Sequence, residues 1–372
     1  MNICYLSNAA IPSSVASSIQ IVKMCEAFSK LNNKVTLITI NDLNFKMNFV
    51  KYYNVKSQFN LKKVKIFKTF PLGVNYYLFS LFSIIESLKF KPEIYITRNF
   101  FTCFLLVLLR KNIIMELHHD LKMESRIVRF LATKLKFLNS SCIKKIVAIT
   151  YGVKNEYIKN KVIKKEKIIV LPSGSSIEKK FEFSKNKKFF NIGYFGSLFQ
   201  SRGLNLIKKL ANIDRKNKYY LFGDFNKIDK NFRYKNSNKN IHISNYVPYR
   251  DIPKELQKMD ILIMPYTSSI TVAGNVGDIT KFTSPLKLFD YLSVGKIIMC
   301  SDFDVLKEAI NEKRNAIFIK NFTNPYAWKN EIQKLINQPY RQFIIAKNNY
   351  KLSKKYSLIN RAKTILEKIK IN

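Results

Sequence analysis

Short apolar runs alternate along the chain with longer stretches whose apolar positions recur at helical spacing. Met1 to Leu6 is the first run, followed by Val15 to Leu31 with Ile19, Val22, Met24 and Phe28 on a helical period. Further runs at Val35–Ile40, Lys62–Phe67, Pro92–Thr97, Asn112–Leu117, Ile146–Thr150 and Lys167–Leu171 complete a first series. A second series runs through Phe190–Phe195, Tyr219–Phe222, Ile241–Ile243, Ile261–Pro265, Lys296–Cys300 and Ala316–Ile319. Short β-branched runs spaced by longer helical patterns predict parallel sheets with helices on both faces. The pattern restarts after Pro172-Ser173-Gly174-Ser175, so two doubly wound α/β domains are expected. Such a pair places its ligand in a cleft between the domains, at the carboxyl ends of the strands.

Two apolar stretches stand out, Asn75 to Leu88, broken by Ser80, Ser83 and Glu86, and Phe100 to Leu109. Neither reaches the ~18–20 apolar residues of a spanning helix. Phe100 to Leu109 reads as a core helix. Asn75 to Leu88 is open between a core helix and one resting its apolar side on a bilayer. The opening residues MNICYL read as a buried strand, without the basic region and apolar core of a signal peptide.

Composition narrows the class. At 372 residues and 47% hydrophobic, the chain is long enough for two cores and too apolar to be mainly disordered. Its formal net charge is +40, which invites a nucleic-acid or an anionic-membrane reading. Residues 1–172 carry 28 Lys and Arg against 9 acids, and the remainder 37 against 16, so no basic tail concentrates the charge. Coding bias toward Lys and Asn and a physical role are the two alternative sources of this charge. The five cysteines, Cys4, Cys25, Cys103, Cys142 and Cys300, are far apart and lack metal-ligand spacing. Reduced thiols in a cytosolic protein are expected.

Three segments hold candidate chemistry. Gly193 to Leu204 (GYFGSLFQSRGL) carries a strand into a small-residue loop and a helix start, where free N–H groups attract anions and Arg202 suits phosphate. An ordinary strand–helix turn fits the same spacing. In Thr283 to Lys296 (TSPLKLFDYLSVGK), Thr283 or Ser284 is expected to cap a helix with Pro285 in its first turn. Lys287 and Asp290, three apart, either bind phosphate and ribose or form a surface salt bridge. Glu116-Leu117-His118-His119-Asp120 ends a strand, where α/β enzymes hold reacting groups. Adjacent histidines point apart, so an imidazole oriented by an acid is expected rather than a shared metal.

These residues resemble the family 4 (group 1) glycosyltransferases of GT-B fold, over nearly the whole chain. Ser17 to Cys25 is similar to the family's small-residue loop and helix, and Asn33 to Thr39 to its "GHEVTLIT" strand. Leu171-Pro172-Ser173-Gly174 resembles "LPDGV", and Thr283 to Lys296 the family's "TSPLKLFEYLAAGK". Tyr356-Ser357 with Arg361-Ala362 resembles the "YSW..RA" start of a helix crossing back to the first domain.

The resemblance implies an acceptor-binding domain at 1–172, a nucleotide-sugar-binding domain at 173–350, and a helix at 351–372 packing back on the first. It implies donor contacts from Gly196, Ser197, Arg202, Tyr246, Val247, Ser284, Pro285, Leu286, Lys287 and Asp290. Ser17, Arg98, Glu116 and His118 fall on the acceptor side, and His118, Arg202 and Lys287 are the candidate catalytic residues. The implied reaction is retaining transfer, needing no metal or cofactor, from a nucleotide-sugar to a lipid-linked bacterial surface glycan of capsule, lipo-oligosaccharide or O-antigen type. The expected location is the cytoplasmic face of an anionic membrane, with no nucleic-acid partner. Phe282 stands where the family often has the first acid of an E-x7-E pair, and Asp290 shortens the second. Asp302-Phe303-Asp304 matches a metal-binding D-x-D string only by chance, and Gly223-Asp224 and His242 read as structural. A basic nucleic-acid-binding protein and a GT-B nucleotide-sugar epimerase are the competing readings.

Overall fold

The computed structural model describes residues 1–40, 48–65, 71–184, 187–198, 202–224, 239–267, 278–312 and 314–369. The chain divides into two compact units. The first is Met1–Ser173 with Phe282–Ser284 and Leu358–Asn372, and the second is Gly174–Lys281 with Pro285–Ser357.

In chain order, unit 1 contains β1 (Asn2–Ala10), α1 (Ala16–Lys30), β2 (Lys34–Ile40), α2 (Phe49–Tyr53), β3 (Asn60–Val64), α3 (Leu72–Leu88), β4 (Ile94–Thr97) and α4 (Phe100–Leu108). It continues through β5 (Ile113–Leu117), α5 (Arg126–Lys134), β6 (Ile143–Ala148), α6 (Tyr151–Lys159) and β7 (Ile168–Val170). Its strands form one parallel sheet in the order β3-β2-β1-β4-β5-β6-β7. Side chains alternate across a strand, so one β1 supplies two cores. Ile3 and Tyr5 pack with α1, while Cys4 and Leu6 pack with α3, α4 and α5.

Unit 2 contains β8 (Asn191–Phe195), α7 (Leu204–Ile213), β9 (Lys218–Phe222), β10 (Ile241–Ser244), α8 (Ile252–Gln257), β11 (Ile261–Met264) and α9 (Leu286–Ser293). It ends with β12 (Ile297–Ser301), α10 (Asp304–Lys307), β13 (Ala316–Ile319), α11 (Pro325–Ile336) and α12 (Pro339–Lys355). Its sheet is also parallel, in the order β10-β9-β8-β11-β12-β13. The next helix, α13 (Leu358–Glu367), belongs to unit 1 and packs on α1.

Each sheet reverses its order once, between β1 and β4 and between β8 and β11. In open α/β sheets that reversal opens a crevice at the carboxyl ends of the strands, where ligands bind.

Two strands sit earlier than the apolar runs predict. β3 is Asn60–Val64 rather than Lys62–Phe67, because Asn60 to Val64 pair with Thr36 to Ile40. Ile66 and Phe67 lie outside the described residues. β6 ends at Ala148 because Thr150 turns away to cap α6, accepting from the Val153 amide. The two apolar stretches become α3 and α4. Phe100, Cys103 and Leu106 of α4 are buried as expected of a core helix. All five cysteines are free, and four are buried.

Candidate active site

The reversal point of unit 2 gathers three segments. β8 delivers Gly196 and Ser197, β11 delivers Pro265 and Tyr266, and α9 starts beside them. Tyr194 holds the loop after β8, its hydroxyl donating to the Ser197 carbonyl at 2.8 Å. Residues 199–201 of this loop lie outside the described residues. Two of the glycines flanking it are sterically required. At Gly203, with φ +83°, a Cβ would stand 1.8 Å from the Pro265 carbonyl oxygen. At Gly196, with φ +146°, it would stand 2.6 Å from Lys287 Nζ.

Lys287 is the chemical centre of this cluster. Its ammonium lies 4.2 Å from the Tyr194 ring centroid and 5.8 Å from that of Tyr266. The Arg202 guanidinium lies 5.6 Å from the same Tyr266 ring. Lys287 has no hydrogen bond or ion pair among the described residues; only ring faces meet its charge. Aromatic faces attract cations, though more weakly than an anion does. Burial, and then the neighbouring Arg202, hold the Lys287 amine well below its ordinary basicity. An anion bound here would restore the proton.

The start of α9 differs from the expected cap. The N-cap is Pro285, with no side-chain capping bond. Ser284 Oγ instead accepts from the Ser173 amide at 2.9 Å. The early amides of α9, at Leu286 and Lys287, therefore have no side-chain cap. The expected alternative of a Lys287–Asp290 salt bridge does not form either. Asp290 is buried, and its Oδ1 accepts from Ser175 Oγ at 2.5 Å and Tyr249 Oη at 3.3 Å. Tyr246 is exposed and Val247 half-buried, both just after the carboxyl end of β10.

Unit 1 carries a second polar cluster at its own reversal point. Asn99 caps α4 through the Thr102 amide, which sets Arg98 at the carboxyl end of β4. Arg98 Nε donates to Tyr5 Oη at 2.9 Å and to Glu116 Oε2 at 3.0 Å. Tyr5 Oη donates to the same Glu116 oxygen at 2.6 Å. Arg361, from α13, donates through Nη1 to Glu116 Oε1 at 2.7 Å and through Nε to the Pro172 carbonyl at 2.9 Å. Burial opposes ionisation of Glu116, but Arg361, Arg98 and then His118 outweigh it and hold the carboxyl well below the usual range.

His118 stands beside this carboxylate with Nε2 3.8 Å from Glu116 Oε2, beyond hydrogen-bond length. Nε2 is buried and has no hydrogen-bond partner among the described residues. Burial, then Arg98, push the imidazole down to about 3, so His118 is neutral at physiological pH. A neutral ring can donate to or accept from a substrate hydroxyl, but it is a weak base. His119 faces elsewhere, with Nε2 3.4 Å from Glu124 Oε1. Ser17 is exposed in the first turn of α1.

The structure thus joins Gly196, Ser197, Arg202 and Lys287 in one cluster and Arg98, Glu116 and His118 in another. It sets Ser284 and Asp290 on other partners. Sequence reading missed Tyr5, Tyr194, Tyr266 and the role of Arg361. The tyrosines look like ordinary core residues, but Arg361 carried a signal. It interrupts the buried stripe Leu358, Ala362, Ile365 of α13. Of the sites expected to be structural, Gly223 lies against the Gly196 carbonyl and His242 stacks on Tyr220 at 4.9 Å. Lys307 pairs with both Asp302 and Asp304.

Residues 175–352 match the family model of glycosyl transferases group 1. No curated protein matches the chain. Among solved structures, HepE of Anabaena in complex with UDP-glucose superposes with TM-score 0.70 at 13% identity, covering 99% of this chain and 98% of that one. Sucrose-phosphate synthase from Thermosynechococcus elongatus gives TM-score 0.72 at 11% identity, over 98% and 97%. WaaG, a glycosyltransferase involved in lipopolysaccharide biosynthesis, gives 0.65 at 12% identity, over the full length of both. Residues 175–352 therefore carry a group 1 glycosyl transferase domain, in a chain whose two parallel α/β sheets have the GT-B fold.

Proposed function

We propose that the protein transfers a sugar from a nucleotide-sugar donor held by unit 2 to an acceptor held by unit 1. The observation that carries this is the half-buried Lys287, beside Arg202, whose ammonium is met among the described residues only by ring faces. Breaking the anomeric bond builds negative charge on the departing diphosphate. Lys287, Arg202 and the α9 amides would stabilise it without a metal, as preorganised donors do for developing charge. The acceptor would attack from the face the leaving group vacates, with a phosphate oxygen taking its proton, so configuration is retained. No protein base is then required, which suits a neutral His118 hydrogen-bonding a sugar hydroxyl. The match of residues 175–352 supports the reaction class. The acceptor we propose is a lipid-linked surface glycan of capsule, lipo-oligosaccharide or O-antigen type, met at the cytoplasmic face of an anionic membrane.

The test is a thermal-shift series with UDP, GDP, CDP, ADP and TDP, followed by turnover of labelled nucleotide-sugars. A ligand that binds only the folded state raises the melting temperature. One nucleoside diphosphate is expected to do so, and Lys287→Met and Arg202→Ala are expected to abolish the shift. Unchanged donor turnover in both variants would remove the assignment.

A further inference from the structure

The helix α3 is apolar on two sides. Its inward face carries Phe79 and Ile84 together with Asn75, Ser80, Ser83 and Ser87, all buried. The serines are satisfied locally: Ser80 Oγ donates to the Tyr76 carbonyl at 3.0 Å, Ser83 Oγ to that of Ser80 at 3.2 Å, and Ser87 Oγ to that of Ile84 at 2.6 Å. Its outward face carries Val74, Leu81, Ile85 and Leu88, spaced by seven, four and three positions, so they share one side of the helix. Ile85 is 60% exposed, and Leu81 and Leu88 are each 45% exposed. Folding alone gives no reason for a second apolar stripe on the wet side of a helix that already buries Phe79 and Ile84 on its dry side.

The apolar surface does not stop at α3. The Tyr77 hydroxyl of α3 lies 2.9 Å from Ser125 Oγ, the cap of α5. On α5, Ile127 and Phe130 are 57% and 58% exposed, three residues apart on one side. Lys134 continues that side at the next turn, with Arg126 and Arg129 beside it, and α5 holds no acid. Leu108 and Leu109, at the end of α4, are also exposed, next to Arg110 and Lys111. The acid on α3, Glu86, is paired with Lys89 at 2.6 Å.

We infer that α3, α4 and α5 form a face of unit 1 that docks on an anionic lipid bilayer, burying the α3 stripe among acyl chains. Apolar residues bordered by Lys and Arg are what an interfacial helix needs, and no helix among the described residues is long and apolar enough to span a membrane. Charge complementarity selects the bilayer over a second copy. Each chain carries +40, so two copies repel, whereas an anionic leaflet attracts the same charge. The inference rests on the membrane part of the proposed function and is independent of the donor chemistry.

Co-sedimentation of the full chain with vesicles tests it, using equimolar phosphatidylglycerol and phosphatidylcholine against phosphatidylcholine alone. The wild type is expected on the anionic vesicles, with binding falling as salt rises. Leu81→Gln with Ile85→Gln changes no charge and falls on two exposed side chains of the stripe. It is expected to cut partitioning by about tenfold or more while leaving the melting temperature and the nucleotide thermal shift in place. Phe82→Trp adds a reporter to a chain whose single tryptophan, Trp328, is fully buried. Its emission is expected to shift blue on anionic vesicles. Undiminished binding by the glutamine variant would overturn this face while leaving membrane association standing. No wild-type binding would overturn both, with the nucleotide shift still testing donor use. A concentration-dependent dimer that the glutamine variant abolishes, without vesicle binding, would assign the stripe to a second copy.

Discussion

The Glu116 cluster yields a prediction whose size follows from its charges. Two guanidiniums and one carboxylate meet with little exposure, the Arg98, Arg361 and Glu116 side chains being 14%, 4% and 1% exposed. Arg361→Met removes two charged hydrogen bonds, to Glu116 Oε1 and the Pro172 carbonyl, but leaves the carboxylate paired with Arg98 and Tyr5. At ~1.5–3 kcal/mol per charged hydrogen bond, less what the methionine repacks, the cost is about 3 kcal/mol. For a unit of this size that is a fall of roughly 6–12 °C in melting temperature. Glu116→Gln leaves both cations buried without an anion and costs more, about 5 kcal/mol. The decisive assay is the double mutant, measured by calorimetry and urea unfolding. Once Glu116 is gone, Arg361 is a buried charge with no anionic partner, so adding Arg361→Met to Glu116→Gln is expected to cost nothing or to stabilise. Contacting residues couple in this way, whereas independent ones add. If Arg361→Met costs the same in both backgrounds, the cluster is not the electrostatic unit described above.

Both acid-linked groups of unit 1 predict loss of stability as pH falls. Glu116 is held below its unfolded value, so its contribution is present above the ordinary carboxylate range and lost on acidification through the folded value. His118 is held near 3 against an ordinary 6.5, so the unfolded chain takes a proton first and stability drops between those values. His118→Gln is expected to flatten the upper part of that curve in pH-dependent urea unfolding; an unchanged curve refutes the neutral imidazole. Lys287 is held low and should regain its proton when a diphosphate binds. Calorimetry in two buffers of different ionisation enthalpy is expected to show proton uptake, with affinity falling as pH rises, and Lys287→Met is expected to abolish the uptake. Gly203→Ala places a methyl against the Pro265 carbonyl, and is expected to abolish nucleotide binding and lower the melting temperature. A variant as stable and as competent as wild type would show that the loop does not need that approach.

The periodicity of the chain was enough to foresee the strands and their parallel pairing, because buried parallel strands are written as continuous Ile, Val and aromatic runs. Strand ends were less legible. Thr150 looks like a strand residue until its hydroxyl is seen capping a helix. Glycine spacing marked the loop after β8, but the ring faces under Lys287 were invisible, since Tyr194 and Tyr266 are indistinguishable in sequence from tyrosines that merely fill a core. Ser284 shows the reverse difficulty. It has the right residue type and position for a cap, yet the Ser173 amide, 111 positions away, takes its hydroxyl. Competition of that kind is set by tertiary structure, which local patterns do not encode. The same holds for α3, whose apolar stripe reads alike whether it faces a core or a solvent boundary.

The return of α13 to unit 1 has a consequence in time. Glu116 and Arg361 are 245 positions apart, and Leu358, Ala362 and Ile365 of α13 close the same core that begins with Ile3. At ~5–20 residues per second of synthesis, roughly 12–50 seconds separate the carboxylate from its second cation. The first unit to emerge from the ribosome is thus the last to be completed. It must wait with an apolar groove on α1 uncovered, while unit 2 can close as soon as its own strands and α12 have been made.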